Sequence, residues 1–320
     1  MKTKNLTLDP GIGMMLRSAE ANENRLVQEY MDHPEKLPLF MDFKVDFAFK
    51  YILGHKPILL KLINDVLPVE VSDIEYLPNE IPVLSPKEKR AVFDVFCTEK
   101  HTGQRFVVEM QCVPDMDMDN RLLYYGSAVV QRQVERGAER YLLNPVYVLC
   151  IANYERPHVK DVPPGKIFFG YQLREQTFHN DVFTDKLQFF FLELPRLGKV
   201  WDSLETNMER WCYLFGNLNN FAVVPDNKAG FGDVFDIART GSLDPEERRL
   251  YISSMLNEYE KYTISEYARQ EGVKEGVKQG IEQGIKEGIQ LVAKKLLTEQ
   301  VPVSVISSAT GLSAEEIQSL

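Results

Sequence analysis

The sequence predicts a mixed α/β fold, and three observations carry that prediction. Apolar residues recur at helical spacing over 43–66. Two runs rich in β-branched and aromatic residues, RAVFDVFCT (90–98) and RFVVEMQCV (105–113), flank a short polar turn. A second helical pattern then leads into the apolar run VYVLCIANY (146–154). A 3.6-residue period, a strand-sized β-rich segment and a short continuous apolar run are different signatures, so their succession specifies alternating helices and strands.

Taken in order, residues 1–38 read as a polar leader. From Asp42 onward, Phe43, Phe47, Tyr51, Leu53, Leu62, Ile63 and Val66 mark helical faces, and Gly54 and Pro57 divide the run into two short helices. Ile74–Leu77 is a short strand. Arg90–Thr98 and Arg105–Val113 form a β-hairpin about the polar His101–Gly103 turn. A helix over 119–143 follows, with Leu122, Leu123, Tyr125, Val129, Val130, Val134 and Ala138 at helical intervals; Asn144–Pro145 ends it. The strand at 146–154 completes a succession of helix, three strands, helix, strand. Lys166–Tyr171 and Leu187–Leu194 extend the sheet. Residues 199–270 read as helical, with Trp201, Met208, Trp211 and Leu214 as core positions of the first helix.

The tail contains a short repeat. Gly272, Gly276, Gly280, Gly284 and Gly288 recur every fourth residue, each followed by Val273, Val277, Ile281, Ile285 or Ile289. A helical glycine costs roughly 1 kcal/mol relative to alanine, and a spacing of four winds the apolar stripe around the helix. A flexible spacer and a helix that admits another backbone are the two readings; the helix, with a self-association role, is preferred. Residues 291–320 have helix-turn-helix spacing, but Glu315 and Glu316 occupy the last helix, which has no Lys or Arg. Carboxylates there oppose docking against phosphates, so a small protein-interaction unit is expected. The expected organisation is therefore a leader (1–38), an α/β core (39–198), a helical extension (199–270), a glycine repeat (271–290) and a small helical tail (291–320).

Composition narrows the partners. A hydrophobic fraction of 44% is that of an ordinary globular chain, so a sizeable core is expected. The net charge of −10 disfavours indiscriminate nucleic-acid binding, which depends on clustered Lys and Arg. No apolar stretch has signal-peptide or membrane-span length, so a soluble, cytoplasmic protein is expected. Cys97, Cys112, Cys150 and Cys212 are widely spaced in apolar runs, the pattern of buried free thiols, with neither a zinc knuckle nor a disulfide framework.

The hairpin carries the chemistry. A turn centred between His101 and Thr102 places Asp94 opposite Glu109, and the two-residue strand period puts Gln111 on the same face. Directly opposed side chains have Cβ atoms roughly 5 Å apart. Two carboxylates so close repel unless a cation separates them, and a pair of oxygen ligands suits Mg²⁺ or Mn²⁺. Solvated carboxylates on an exposed hairpin face are the bland alternative; VFDVF and VVEMQ, both apolar, argue against it. Asp46, one turn before Lys50, is either a further metal ligand or an i,i+4 partner of Lys50. Arg121 is a candidate phosphate contact, and Gln131 and Gln133 are candidates for approaching the site. Tyr124 and Tyr125 read as core or rim.

Several blocks together resemble the PD-(D/E)XK nuclease-like proteins of the transposase and recombination-promoting nuclease branch. They are FKVDFAFKYILG (43–54), LINDVLP (62–68), KRAVFDVFCTEKHTGQRFVVEMQ (89–111), RLLYYGSAVV (121–130) and the glycine-repeat tail ending TGLSAEEIQSL. The resemblance implies a restriction-endonuclease-like α-β-β-β-α-β core with a helical C-terminal extension, and a Mg²⁺-dependent DNA endonuclease. Asp94 and Glu109 would then be the metal-holding acids. Gln111 stands where such motifs usually carry lysine. Glutamine orients water by hydrogen bonds and brings no charge, so Lys50, Lys87 and Lys89 are candidates for the missing cation. A nuclease-like protein that binds without cutting is the alternative.

Overall fold

A computed structural model of the chain describes residues 22–81, 90–134, 137, 139–157, 162–226 and 228–320. These residues belong to two compact units, Met1–Glu260 and Lys261–Leu320. The first unit begins with helical residues 22–32 (α1), which bury Val27. There follow α2 (Asp46–Leu53), α3 (Lys56–Val66), β1 (Ile74–Tyr76), β2 (Glu80–Ile81), β3 (Ala91–Val92), β4 (Val95–Glu99) and β5 (Arg105–Gln111). Next come α4 (Met118–Gln131), β6 (Val146–Ala152), β7 (Phe168–Arg174) and β8 (Val182–Glu193). The unit ends with α5 (Asn207–Asn217), α6 (Gly232–Ile237) and the first turns of α7 (Pro245–Thr298).

Six strands form one mixed sheet in the order β1-β4-β5-β6-β8-β7. The pairs β1–β4, β4–β5 and β7–β8 are antiparallel, while β5–β6 and β6–β8 are parallel. A parallel step needs a crossover, and α4 provides the one between β5 and β6. All seven residues of β6 are buried, which is why its sequence is apolar throughout and does not alternate. Phe106, Val108, Leu149 and Ile151 join Phe49, Leu62 and Trp211 from α2, α3 and α5 in one core. Val107, Val148 and Cys150 join Leu122 and Val129 of α4 in the other. The helix–strand–strand–strand–helix–strand order is the one the hydrophobic patterns predict.

Three local expectations need correction. The helix predicted to 143 ends at Gln131. Beyond it, the Gln133 amide donates to Asn144 O (3.0 Å) and accepts its N–H (2.7 Å), a side-chain clasp that replaces continued helix. The strand predicted over Arg90–Thr98 is broken at Phe93 and Asp94, between β3 and β4. Trp201 lies on a 3₁₀ turn (Trp201–Ser203) and not on the first helix of the extension; α5 starts at a capping box built by Thr206 and Glu209. Trp201 is nevertheless a core residue, edge-on to Phe221 and Phe235.

In the second unit the glycine repeat is helical, within α7. Val273, Val277, Ile281 and Ile285 are 54–58% exposed. Ala293, Ile306 and Ile317 form a small core between the end of α7, α8 (Val303–Thr310) and α9 (Ala314–Gln318). Gly311, at φ +76°, closes α8 in the left-handed conformation that glycine adopts without strain. Among the described residues no helix is long and apolar enough to cross a membrane. The four cysteines are free, and three of them are fully buried.

Gly126 lets α4 lie close against the sheet. A Cβ there would lie 2.7 Å from Leu187 Cδ1 and 3.3 Å from the Phe189 ring. Gly126→Leu is expected to lift α4 and lower unfolding free energy by about 1–3 kcal/mol. The denaturant midpoint checks this; an unchanged midpoint would mean that the layer spacing is not set there.

Candidate active site

The hairpin register is the one the sequence predicts: Val95 pairs with Val108, Phe96 with Val107, Cys97 with Phe106 and Thr98 with Arg105. The turn that fixes it is organised by Glu99. Its carboxylate accepts the His101 N–H (2.7 Å), the Thr102 hydroxyl (2.8 Å) and the Thr102 N–H, while Gly103 takes φ +71°. Buried Glu99 is thus a structural acid, held below the ordinary carboxylate range chiefly by the Thr102 N–H.

One residue beyond Val95 the ladder stops, and the break builds the site. The Phe93 N–H donates to Asn79 O (2.8 Å), and Asn79 Nδ2 donates to Asp94 O (3.2 Å). The Phe93 ring is buried edge-on against Tyr125 of α4. With its carbonyl bound to Asn79, Asp94 turns its N–H to Glu109 Oε1 (3.2 Å), and Met110 N–H donates to Asp94 Oδ2 (2.9 Å). Each carboxylate uses one oxygen on the opposite strand. Among the described residues Glu109 Oε2 accepts no hydrogen bond, and Asp94 Oδ1 has only the Lys50 ammonium, 3.8 Å away. Nothing in the sequence signals the roles of Asn79 and Phe93, because neither is a residue type that chemistry singles out.

Electrostatically the pair is under tension. Glu109 is 3% exposed, and burial first, then the charge of Asp94, push its carboxyl well above the usual range. Burial likewise raises Asp94, against the pull of the Met110 N–H and of Lys50. Burial pulls Lys50 down, but its bond to Asp46 and the charges of Asp46, Asp94 and Glu109 outweigh that and hold it above its ordinary range.

The other sequence candidates divide. Lys50 Nζ lies 2.6 Å from Asp46 Oδ1, so α2 delivers an ion pair to the site. Gln111 follows Glu109 on the same face, and its amide has no partner among the described residues. Arg121 donates to Asp115 Oδ2 (3.1 Å) and Met118 Sδ (3.1 Å) while its buried Nε is unpaired; its charge lowers both Asp94 and Glu109. Tyr125 is core-facing beside Phe93. Gln131 is exposed at the far end of α4, about 15 Å along the axis from Arg121, and Gln133 is committed to Asn144. Neither glutamine joins the acids. Lys87 and Lys89 lie outside the described residues.

The donor chemistry fits a small hard cation. Two adjacent carboxylates, each with an oxygen free of hydrogen bonds, match the one or two carboxylates by which Mg²⁺ is held, water and phosphate completing the shell. Among the described residues no group of three or more His, Cys, Asp or Glu is arranged to hold a metal, so an all-protein cage of the zinc or calcium type is not present there.

A family model described as PD-(D/E)XK nuclease family transposase matches residues 43–268, more than two thirds of the chain. The match begins at Phe43, just before α2, and spans the whole sheet. No curated protein and no solved structure gives a significant match.

A pH dependence follows from the acid pair. A carboxyl whose folded pKa is raised contributes stability below its unfolded value, near 4.3, and loses it as pH rises through the folded value. The metal-free protein should therefore become less stable from about pH 4.5 towards neutrality and above, through Glu109. Glu109→Gln keeps an acceptor for the Asp94 N–H and should flatten that limb. Thermal denaturation in chelator across pH measures it, and identical profiles for the two proteins would contradict the predicted tension.

Proposed function

The chain belongs to the PD-(D/E)XK nuclease family transposases, and on that premise we propose that it is a divalent-metal-dependent DNA endonuclease acting in transposition or recombination. The observation that carries this reading is the pair Asp94 and Glu109, locked by main-chain hydrogen bonds from the opposite strand, each with one oxygen that accepts no hydrogen bond among the described residues. A fold has no reason of its own to bury two adjacent acids; the arrangement destabilises the protein until a cation neutralises it.

Asp94 and Glu109 would hold Mg²⁺, or Mn²⁺ in its place. When bound, such a cation supplies Lewis acidity and charge neutralisation at a phosphodiester. The residues around it have separate tasks. Gln111, next on the Glu109 face and without a side-chain partner among the described residues, orients the attacking water through its amide. Arg121, anchored by Asp115, presents a fixed positive charge towards the phosphate. The Asp94 N–H donated to Glu109 and the Met110 N–H donated to Asp94 keep the acids in register, so little reorganisation is needed when substrate arrives.

Plasmid cleavage with and without Mg²⁺ tests this. Cleavage should require the metal and disappear in Asp94→Ala, and saturating Mg²⁺ or Mn²⁺ should raise the melting temperature of the wild type but scarcely that of Asp94→Asn. Gln111→Ala should lose activity while still binding DNA. A protein that binds DNA, shows no metal-dependent melting shift and does not cut would favour a non-catalytic binding module.

The tail supports a further part of the reading. Five glycines whose missing Cβ positions meet nothing within 4 Å, beside Val273, Val277, Ile281 and Ile285, each more than half exposed, leave a helix surface open to another chain. We assign it to self-association. Truncation after Tyr267 should leave a folded, metal-responsive protein of lower oligomeric state. Equal subunit numbers by light scattering for truncated and full-length protein would remove the tail from assembly.

A further inference from the structure

This inference rests on the nuclease reading and concerns the cation that the hairpin itself lacks. The strand position after Glu109 on the same face is neutral Gln111. Among the described residues Lys50 is the cation within ion-pair distance of either acid, 3.8 Å from Asp94 Oδ1. It comes from α2, a different element and the opposite layer, and its own closest partner is Asp46 at 2.6 Å.

An ammonium carries three donors. Asp46 takes one, and 3.8 Å to Asp94 is a charge contact, too long for a hydrogen bond. Among the described residues the other two donors have no hydrogen-bond partner, and they stand beside the acid pair. The side chain is 40% exposed, so it is open to a ligand. Stability does not account for it: an exposed i,i+4 pair contributes only about 0.3–0.5 kcal/mol. Arg121 is differently disposed, because Asp115 and Met118 already bind both its terminal nitrogens.

We propose that Lys50 is a catalytic residue of this site, its ammonium contacting the phosphate under attack, and that Asp46 is the positioning residue that aims it and not a metal ligand. In hydrolysis a water oxygen forms a new bond to phosphorus, and the bond from phosphorus to one sugar oxygen breaks. The attacking water gives a proton to solvent, and the leaving oxygen takes one. Negative charge builds on the non-bridging oxygens between these events. Lys50 neither gains nor loses a proton; it stabilises that charge. Asp46 limits the search of a long, flexible side chain to the side on which Asp94 lies.

The experiment compares wild type with Lys50→Met, Asp46→Asn and the double variant Lys50→Met/Gln111→Lys. It reads DNA cleavage and, separately, Mn²⁺ affinity in the absence of DNA. Removing one preorganised donor at developing charge lowers turnover by about 100-fold or more, so Lys50→Met should lose at least that much. Its Mn²⁺ affinity should be unchanged or tighter, because a competing positive charge has gone. Gln111→Lys in that background should restore part of the cleavage. Asp46→Asn should lower cleavage about 10-fold with Mn²⁺ affinity kept within about threefold.

Full cleavage in Lys50→Met, with metal affinity intact in the wild type, overturns this inference alone. A large loss of Mn²⁺ affinity in Asp46→Asn overturns it as well, by making Asp46 a ligand. A wild type that neither binds Mn²⁺ nor cuts overturns the nuclease reading and this one together.

Discussion

Asp94 and Glu109 face each other across the end of the β4–β5 hairpin, and each carboxylate accepts a main-chain N–H belonging to the other strand. Like charges brought this close repel, and burial deepens the penalty. Only a rigid surround keeps them there. The Glu99-capped turn fixes the register from one end, and the Asn79 clasp with the Phe93 anchor fixes the bend at the other. β6, buried along its whole length, holds β5 from the far side. α4 and α2 cover opposite layers and bring Arg121 and Lys50 to the same place. The fold is organised so that the tension cannot relax by moving backbone, which leaves neutralisation by a cation or a proton as the remaining route.

Much of this was legible before the structure. Helical spacing gives α2 and α3, because their buried positions repeat as the helical period requires, and the polar turn gives the hairpin together with its register. Asp94 opposite Glu109 follows from that register alone, since a one-residue slip would put them on different faces. The errors share a cause. The local pattern overextends α4, runs β3 into β4 and puts Trp201 on a helix; in each case a side-chain-to-backbone bond or a tertiary contact overrides it. Residue periodicity carries no record of such bonds. The ion pair of Asp46 and Lys50 was visible as spacing, but its approach to Asp94 depends on how α2 lies against the sheet, which no local window contains.

The charge distribution bears on how such a protein meets DNA. The second unit carries seven Lys and Arg and eight Asp and Glu, so nine of the ten net negative charges belong to the unit that holds the acid pair. Long-range attraction to a phosphate backbone is therefore absent, and at low salt the mean field opposes approach. Affinity under these conditions has to come from short-range contacts. Among the described residues those around the acids are one half-exposed lysine, one anchored arginine and a glutamine amide without a partner, besides any divalent ion the carboxylates would hold. On the proposed reading, such a site would grip a phosphodiester tightly only with its cation in place, which would couple binding and chemistry to the same ion. A metal-holding acid pair in a unit of net negative charge would for that reason be more selective about when it engages DNA than one in a basic unit. Multiple copies joined through an uncharged stripe of Val, Ile and Gly would add grip by avidity without changing the field at any one site.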